Sequence, residues 1–386
     1  MELKSGFKQT EFGLVPDDWE ICHIDSVCEI VAARDLIKTD YSPIHSQEYP
    51  FHIYSNTLVE NGLYGYSKSY QYEPQKITVT ARGDVGHAVY REAKFCAIGR
   101  LLVLSSRNSC NLIFVAEFIN NYVGFALEST GVPQLTVPQI SKYTIAIPPT
   151  KYEQDAIAGM LSDADSLIES LEQLLAKKRN LKQGAMQELL TGKKRLRGFD
   201  CEWRSIRLGS VLKFQVGFPF SSFFFNEEGR GVRLIKNRDL KSDDQMFYYS
   251  GEYESTFLIR NGDVLVGMDG EFLPCLWTKG RALLNQRVGK IVPLNGLDAA
   301  FSFYYLIAPL NEIEDVTSRT TVKHLSHGDI EEIERPLPSI EEQVAIAEVL
   351  SGMDEQITLL EKKLAKIRNI KQGMMQQLLT GMIRLI

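Results

Sequence analysis

Residues 179–196 read RNLKQGAMQELLTGKKRL, and residues 368–385 read RNIKQGMMQQLLTGMIRL. They end a longer duplication. At an offset of 189 residues, 149–196 match 338–385 without a gap, and 28 of the 48 positions are identical. This is an internal repeat, and a fold for the chain has to account for one helix-like segment occurring twice.

Each copy opens with a proline and a capping-box spacing, Thr150-x-x-Glu153 and Ser339-x-x-Glu342, in which hydroxyl and carboxylate satisfy free amides at a helix start. A second signal of the same kind, Ser162-x-x-Asp165 and Ser351-x-x-Asp354, predicts a short helix followed by a longer one. In the second copy Met353, Ile357, Leu360, Leu364, Ile367, Ile370, Met374 and Leu378 recur at steps of three and four, which makes one apolar seam. In the first, the seam is assigned to Ala164, Leu167, Leu171, Leu174, Leu181, Ala185 and Leu189, interrupted by Lys178. Both copies stop at Leu-Leu-Thr-Gly, where Gly192 or Gly381 closes the helix in the left-handed conformation. About 26 residues at 1.5 Å each predict rods of roughly 40 Å, able to zip together antiparallel through their seams.

A weaker repeat precedes each rod. Asp18-Trp19 and the following Ile24-Asp25-Ser26-Val27 correspond to Glu202-Trp203 and Leu208-Gly209-Ser210-Val211. ITVTARGDVGHAVYREAKFCAIGRLLVL (residues 77–104) lies alongside VLVGMDGEFLPCLWTKGRALLNQRVGKI (264–291). Both begin with a β-branched run, pass a Gly-containing loop and end in an arginine followed by alternating apolar residues, which predicts strand, turn, strand, turn, strand. The apolar segments IFVAEFINNYV and AAFSFYYLIAPL that follow suit buried helices, and residues 135–140 and 325–330 lead into the capping boxes.

With 386 residues, 44% hydrophobic and 24% charged, the chain has the composition of an ordinary globular protein of two or more domains. The start of the sequence has no apolar signal core and no run approaches a transmembrane span, so a cytoplasmic protein away from membranes is expected. Six cysteines (Cys22, Cys28, Cys96, Cys110, Cys201, Cys275) include no CxxC pair and read as reduced, mostly buried thiols. The net charge of −6 argues against a protein coated in basic residues but leaves room for a local basic groove. No glycine-rich loop for a nucleotide or for S-adenosylmethionine occurs, and no catalytic constellation is found. His324-x-x-His327 lacks an obvious third ligand and reads as a polar turn rather than a metal site.

The duplicated pattern P-x-x-x-E-Q-x-x-I-A-x-x-L-S-x-x-D and K-Q-G-x-M-Q-x-L-L-T-G, at Pro149 to Gly192 and Pro338 to Gly381, resembles the specificity subunit of type I restriction-modification enzymes over essentially the whole chain. FKQTEFGLVPDDW (7–19) and LLNQRVGKI (283–291) fit the same family. The resemblance implies an α+β fold: two pseudo-twofold-related mixed α/β target recognition domains separated by two long antiparallel coiled-coil helices. The expected boundaries are 1–148 and 198–337 for the recognition domains, with 149–197 and 338–386 for the helical spacers. It further implies a non-catalytic chain that reads one half of a bipartite double-stranded DNA target with each domain and docks two modification (methyltransferase) subunits. The family's restriction subunits join the complex, and S-adenosylmethionine, ATP and Mg belong to the partners rather than to this chain. A coiled-coil scaffold without direct DNA reading is the competing class, but it gives no reason for two diverged strand-rich domains with polar loops.

Two domains held about 40 Å apart match groove contacts one helical turn apart, roughly 34–36 Å. Base reading needs donors and acceptors on loops that reach groove edges. In the first domain the candidates are Thr80, Arg82 and His87 on the Gly loop, Arg100, and Asn56, Tyr64 and Gln134 behind them. In the second they are the cluster Lys236, Asn237 and Arg238, with Asp269, Asn285, Gln286 and Arg287 around the matching loop. The first domain has Ile98-Gly99-Arg100 where the second has Asn285-Gln286-Arg287, so the halves are expected to read different sequences. Leu167, Leu171, Leu174, Leu181, Ile357, Leu360, Leu364, Ile367 and Ile370 are the spacer and partner candidates. The lysines and arginines along the rods serve as a solvated face, or as contacts to DNA backbone or partner.

Overall fold

A computed structural model describes residues 6–126, 134–317 and 324–385. The chain forms two compact units, residues 1–172 with 362–386, and residues 173–361. Each has its own hydrophobic core, one built around Trp19, Phe114 and Phe118 and the other around Phe272, Phe301 and Leu306.

The strand-rich parts share one topology. In the first unit a four-stranded antiparallel sheet runs in the order Cys28–Ala32, Leu101–Ser106, Lys76–Thr80, Ala88–Arg91. In the second the order is Leu212–Val216, Val288–Pro293, Val264–Gly267, Pro274–Leu276. A further sheet in each holds the same parallel pair: Phe95–Ala97 beside Phe51–Tyr54, and Ala282–Leu284 beside Val232–Ile235. The segments read as three strands thus contain four apiece, because the middle of each turns off to join that other sheet. The apolar helices follow as expected at Leu112–Tyr122, and at Ala299–Tyr305 continuing as Ile307–Thr317.

The repeats fold as two helices of 39 residues each, Lys151–Leu189 and Ile340–Leu378. At 1.5 Å per residue each measures about 58 Å, longer than the sequence signals implied. The break expected at Ser162 and Ser351 does not occur, because Asp165 and Asp354 are engaged elsewhere. Within the first unit Lys371 pairs with Asp165 at 2.7 Å and Arg368 pairs with Glu172. Within the second, Lys182 pairs with Asp354 at 2.5 Å and Arg179 with Glu361 at 2.6 Å. As one partner's number rises the other's falls, so in each unit the two helical segments run antiparallel. Every residue of one set lies 189 positions from its counterpart in the other, so each unit repeats the same pairs.

A third pair completes the set. Glu153 and Glu342, expected as capping carboxylates, are buried and meet arginines from the end of the other copy. Arg384 donates to Glu153 Oε2 at 2.8 Å and also grips Asp18 at 2.9 Å, while Arg195 clasps both oxygens of Glu342 at 2.6 and 2.7 Å. The adjacent glutamines tie the helices to the strand-rich parts. Gln154 donates to the Pro148 carbonyl and accepts from Asn111 N, and Gln343 donates to Pro338 and accepts from Asp298 N. Asn111 and Asp298 are the N-caps of the apolar helices. Gly192 and Gly381 do adopt positive φ (69° and 67°), and a Cβ on Gly381 would lie 2.6 Å from Pro16, so that position needs glycine for space as well as for conformation.

The seam differs from its sequence assignment in the first copy. Leu171 and Leu175 are buried, whereas Leu167, Leu174 and Leu181 are 41%, 40% and 51% exposed. Leu175 is the counterpart of buried Leu364, so the buried stripe is one position away from the expected one where steps of three and four were chosen differently. In the second copy Ile357 and Leu364 are buried, Leu360 and Ile367 are half-buried, and Ile370 is exposed.

Two outcomes follow. Leu171→Ala should cost about 2–4 kcal/mol of stability, whereas Leu174→Ala should stay within about 0.5 kcal/mol, as measured by denaturant unfolding of the full chain. Arg384→Ala strands a buried carboxylate and should destabilise the first unit by about 3 kcal/mol or more; Glu153→Gln made together with it should recover part of that loss in a thermal melt.

Candidate nucleic-acid interface

The Gly loops of the two units are held by one hydrogen-bond frame. In the first, Ala81 N donates to the Arg100 carbonyl and Leu135 N to the Ala81 carbonyl, both at 2.8 Å. These bonds set Arg82 opposite Gln134 in an antiparallel bridge. Asn56 Nδ2 donates to the Arg82 carbonyl at 2.9 Å and fixes the loop from behind. In the second, Met268 N donates to the Arg287 carbonyl at 3.1 Å and Leu325 N to the Met268 carbonyl at 2.9 Å, which sets Asp269 opposite His324. Asn237 Nδ2 donates to the Asp269 carbonyl at 2.7 Å. Gly267 makes room for that amide, since a Cβ there would lie 2.1 Å from Asn237 Oδ1.

The structure therefore brings Asn56, Arg82, Arg100 and Gln134 together in one domain, and Asn237, Asp269 and Arg287 together in the other. Arg100 is held at φ +78° after Gly99, a conformation that costs a non-glycine residue about 1–3 kcal/mol and is sustained by the bond from Ala81. His324 joins the second group: its Nδ1 lies 3.0 Å from Asp269 Oδ1, and Arg287 Nη1 lies 3.3 Å from the same oxygen. An open depression of about 1010 Å³ beside this loop is lined by Asn237, Arg238, Lys241, Asp269 and Glu271.

Other candidates have internal roles. Thr80 is buried, accepts from His87 N at 2.9 Å and donates to the Asp84 carbonyl, so it shapes the loop from inside. Asn285 is buried in a turn, where its Oδ1 accepts from Gln286 N at 3.0 Å, while Gln286 is exposed at the tip. The Lys236 ammonium sits 3.1 Å from the centre of the Phe247 ring, and burial first, then the charge of Arg238, lowers its pKa. Arg238 bonds Gln245 at 2.9 Å. His87 is half-buried; burial first, then Arg91, hold its imidazole below the usual range. Tyr64 is exposed on the strand Leu63–Ser67 of the other sheet, against Tyr41.

Along the rods, Arg179, Lys182, Arg195, Arg368 and Lys371 are spent on the ion pairs described above, and Lys178 bonds Gln356 at 2.8 Å. Lys177, Lys193, Arg197, Lys362, Lys363 and Lys366 are exposed. Among the described residues no helix is long and apolar enough to cross a membrane.

Sequence reading missed His324, which it took for a polar turn, and missed the positioning role of the two asparagines. The available signal was Leu135 and Leu325: each anchors the frame, and the residue before it is the one displayed.

A family model described as type I restriction modification DNA specificity domain matches residues 16–177 and again 201–369. The type I restriction enzyme EcoBI specificity subunit of Escherichia coli is 36% identical over 182 residues, 47% of this chain and 38% of that protein's length. The putative type I restriction enzyme MjaX specificity subunit of Methanocaldococcus jannaschii is 24% identical across 99% of this chain and 97% of its own. In fold, the chain is similar to the crystal structure of the type I restriction-modification S subunit from M. genitalium, with a TM-score of 0.68, 17% identity and 98% of both chains covered.

Asn237→Ala removes the donor that fixes the second loop. It should speed amide hydrogen exchange at residues 269–271 while leaving residues 82–84 unchanged, and Asn56→Ala should give the converse pattern.

Proposed function

We propose, for a chain that belongs to the type I restriction modification DNA specificity domain family, that it acts in the cytoplasm as the non-catalytic specificity subunit of a type I restriction-modification complex. Each strand-rich domain reads one half of a bipartite duplex target. The observation that carries this reading is the shared frame with different cargo: equivalent backbone bonds present Arg82 and Gln134 in one domain and Asp269 and His324 in the other. Two readers of one build and different displayed chemistry suit a target whose halves differ.

The long helices act as the spacer and as docking sites for two modification subunits, which the restriction subunits join. In the second unit exposed Leu174 and Leu181, seven residues apart on one helix face, support a partner surface, and in the first unit exposed Leu167 does so separately. Exposed lysines on the rods are suited to phosphate contacts. S-adenosylmethionine, ATP and Mg are assigned to the partners, as membership of the family implies.

The test is methylation mapping by long-read sequencing in cells that express the chain with its modification subunit, with and without an intact copy of its gene. The expected result is a split motif, two fixed halves around a constant unspecified gap, that appears only with the gene. Insertion of one helical turn into a rod should change the gap and leave both halves as they were. Unchanged methylation with a competent partner present would favour the scaffold reading.

A further inference from the structure

We infer, resting on the DNA-reading function above, that Arg82 with Gln134 and Asp269 with His324 are the specificity-determining pairs of the two domains. Arg82 takes the paired acceptors of a guanine edge. Asp269 takes the exocyclic amino group of a cytosine or an adenine.

The duplication supplies an internal comparison. What holds each loop is common to both domains: an asparagine amide on the loop carbonyl, a leucine amide on the preceding carbonyl, and the bond to an arginine carbonyl on the neighbouring turn. What the loop displays is not common. At the bridge positions the first domain has an arginine and a glutamine, and the second an aspartate and a histidine. Arg100 and Arg287 occupy one place in both frames, which suits a contact that every target offers, such as a phosphate, rather than a base.

The chemistry of each pair is distinct. A guanidinium has only donors, and its fork matches guanine O6 and N7; a carboxamide has one donor and one acceptor and matches adenine N6 and N7. Side chains directly opposite on an antiparallel bridge have Cβ atoms about 4.5–5.5 Å apart, close enough to address neighbouring base pairs. An aspartate facing DNA is repelled by phosphates unless a cation and hydrogen-bond donors flank it and an amino donor receives it. Among the described residues the Arg287 guanidinium and His324 Nδ1 converge on Oδ1, which leaves Oδ2 as the oxygen that an amino group can approach. His324 is in this sense a positioning residue for Asp269.

The experiment measures methylation rates of the full chain with its modification subunit on a panel of duplexes in which each base pair of the wild-type motif is varied singly. Arg82→Ala should lower the preference for a guanine-containing pair at one position of one half-site by about 10- to 100-fold, with the other half unchanged. Arg82→Lys should retain part of that preference. Asp269→Arg combined with His324→Gln should move one position of the other half-site toward guanine, and His324→Asn, which can still donate to Asp269, should keep more discrimination there than His324→Ala. Melting temperatures equal to wild type verify folding. A motif whose first half has no guanine, or preferences unchanged at every position in all variants, would overturn the assignment and leave DNA reading intact. A wild-type chain with no preferred motif would sink both.

Discussion

A glutamate shielded from water has to meet a cation, and among the described residues each fully buried glutamate finds one in the other copy of the repeat. Glu153 opens the first copy and is held by Arg384 from the end of the second; Glu342 opens the second and is held by Arg195 from the end of the first. Leaving either carboxylate unpaired would cost several kcal/mol. Each unit therefore needs one beginning and one end of the same helical segment, and a chain with two units needs the segment twice. The glutamine beside each glutamate extends the constraint outward. It bonds the residue that caps the apolar helix of the strand-rich part, so the rods and the readers are positioned by adjacent side chains.

From those anchor points the sheets carry a loop whose backbone is fixed in the same way in both units. The division of labour is visible in the atoms: main-chain groups and asparagine amides hold the frame, and the side chains at the bridge are left to face outward. Change at those outward positions alters what is displayed without disturbing what supports it. On the assignment proposed above, a family of proteins that differ in target can be built on such a frame, because the residues that hold it and the residues proposed to read bases are different ones.

Much of this was legible in the sequence. The gapless match of 149–196 with 338–385 located both long helices, and the Gly loops at 82–84 and 269–271 located the outward frame. The errors have physical causes. Asp165 and Asp354 have the spacing of helix caps, but a lysine across the helix pair outbids the local amide, so no break forms. Leu167, Leu174 and Leu181 satisfy the apolar periodicity as well as Leu171 and Leu175 do, and only the packing partner decides which stripe is buried. His324 lies far in sequence from the loop it joins, and only the matching place of Leu325 and Leu135 in the repeat ties it to Asp269 as Gln134 is tied to Arg82. Thr80 ends a strand and Asn285 sits in a turn, yet both side chains are buried and bond the adjoining turn.

Modular recognition gives one half-site to each strand-rich domain. Its most direct measurement is methylation mapping of a hybrid chain in which residues 198–337 are replaced by the corresponding domain of another family member with a known, different target. One half of the motif should change to that of the donor while the other half and the gap persist. A change in both halves, or in neither with a methylating complex, would contradict it.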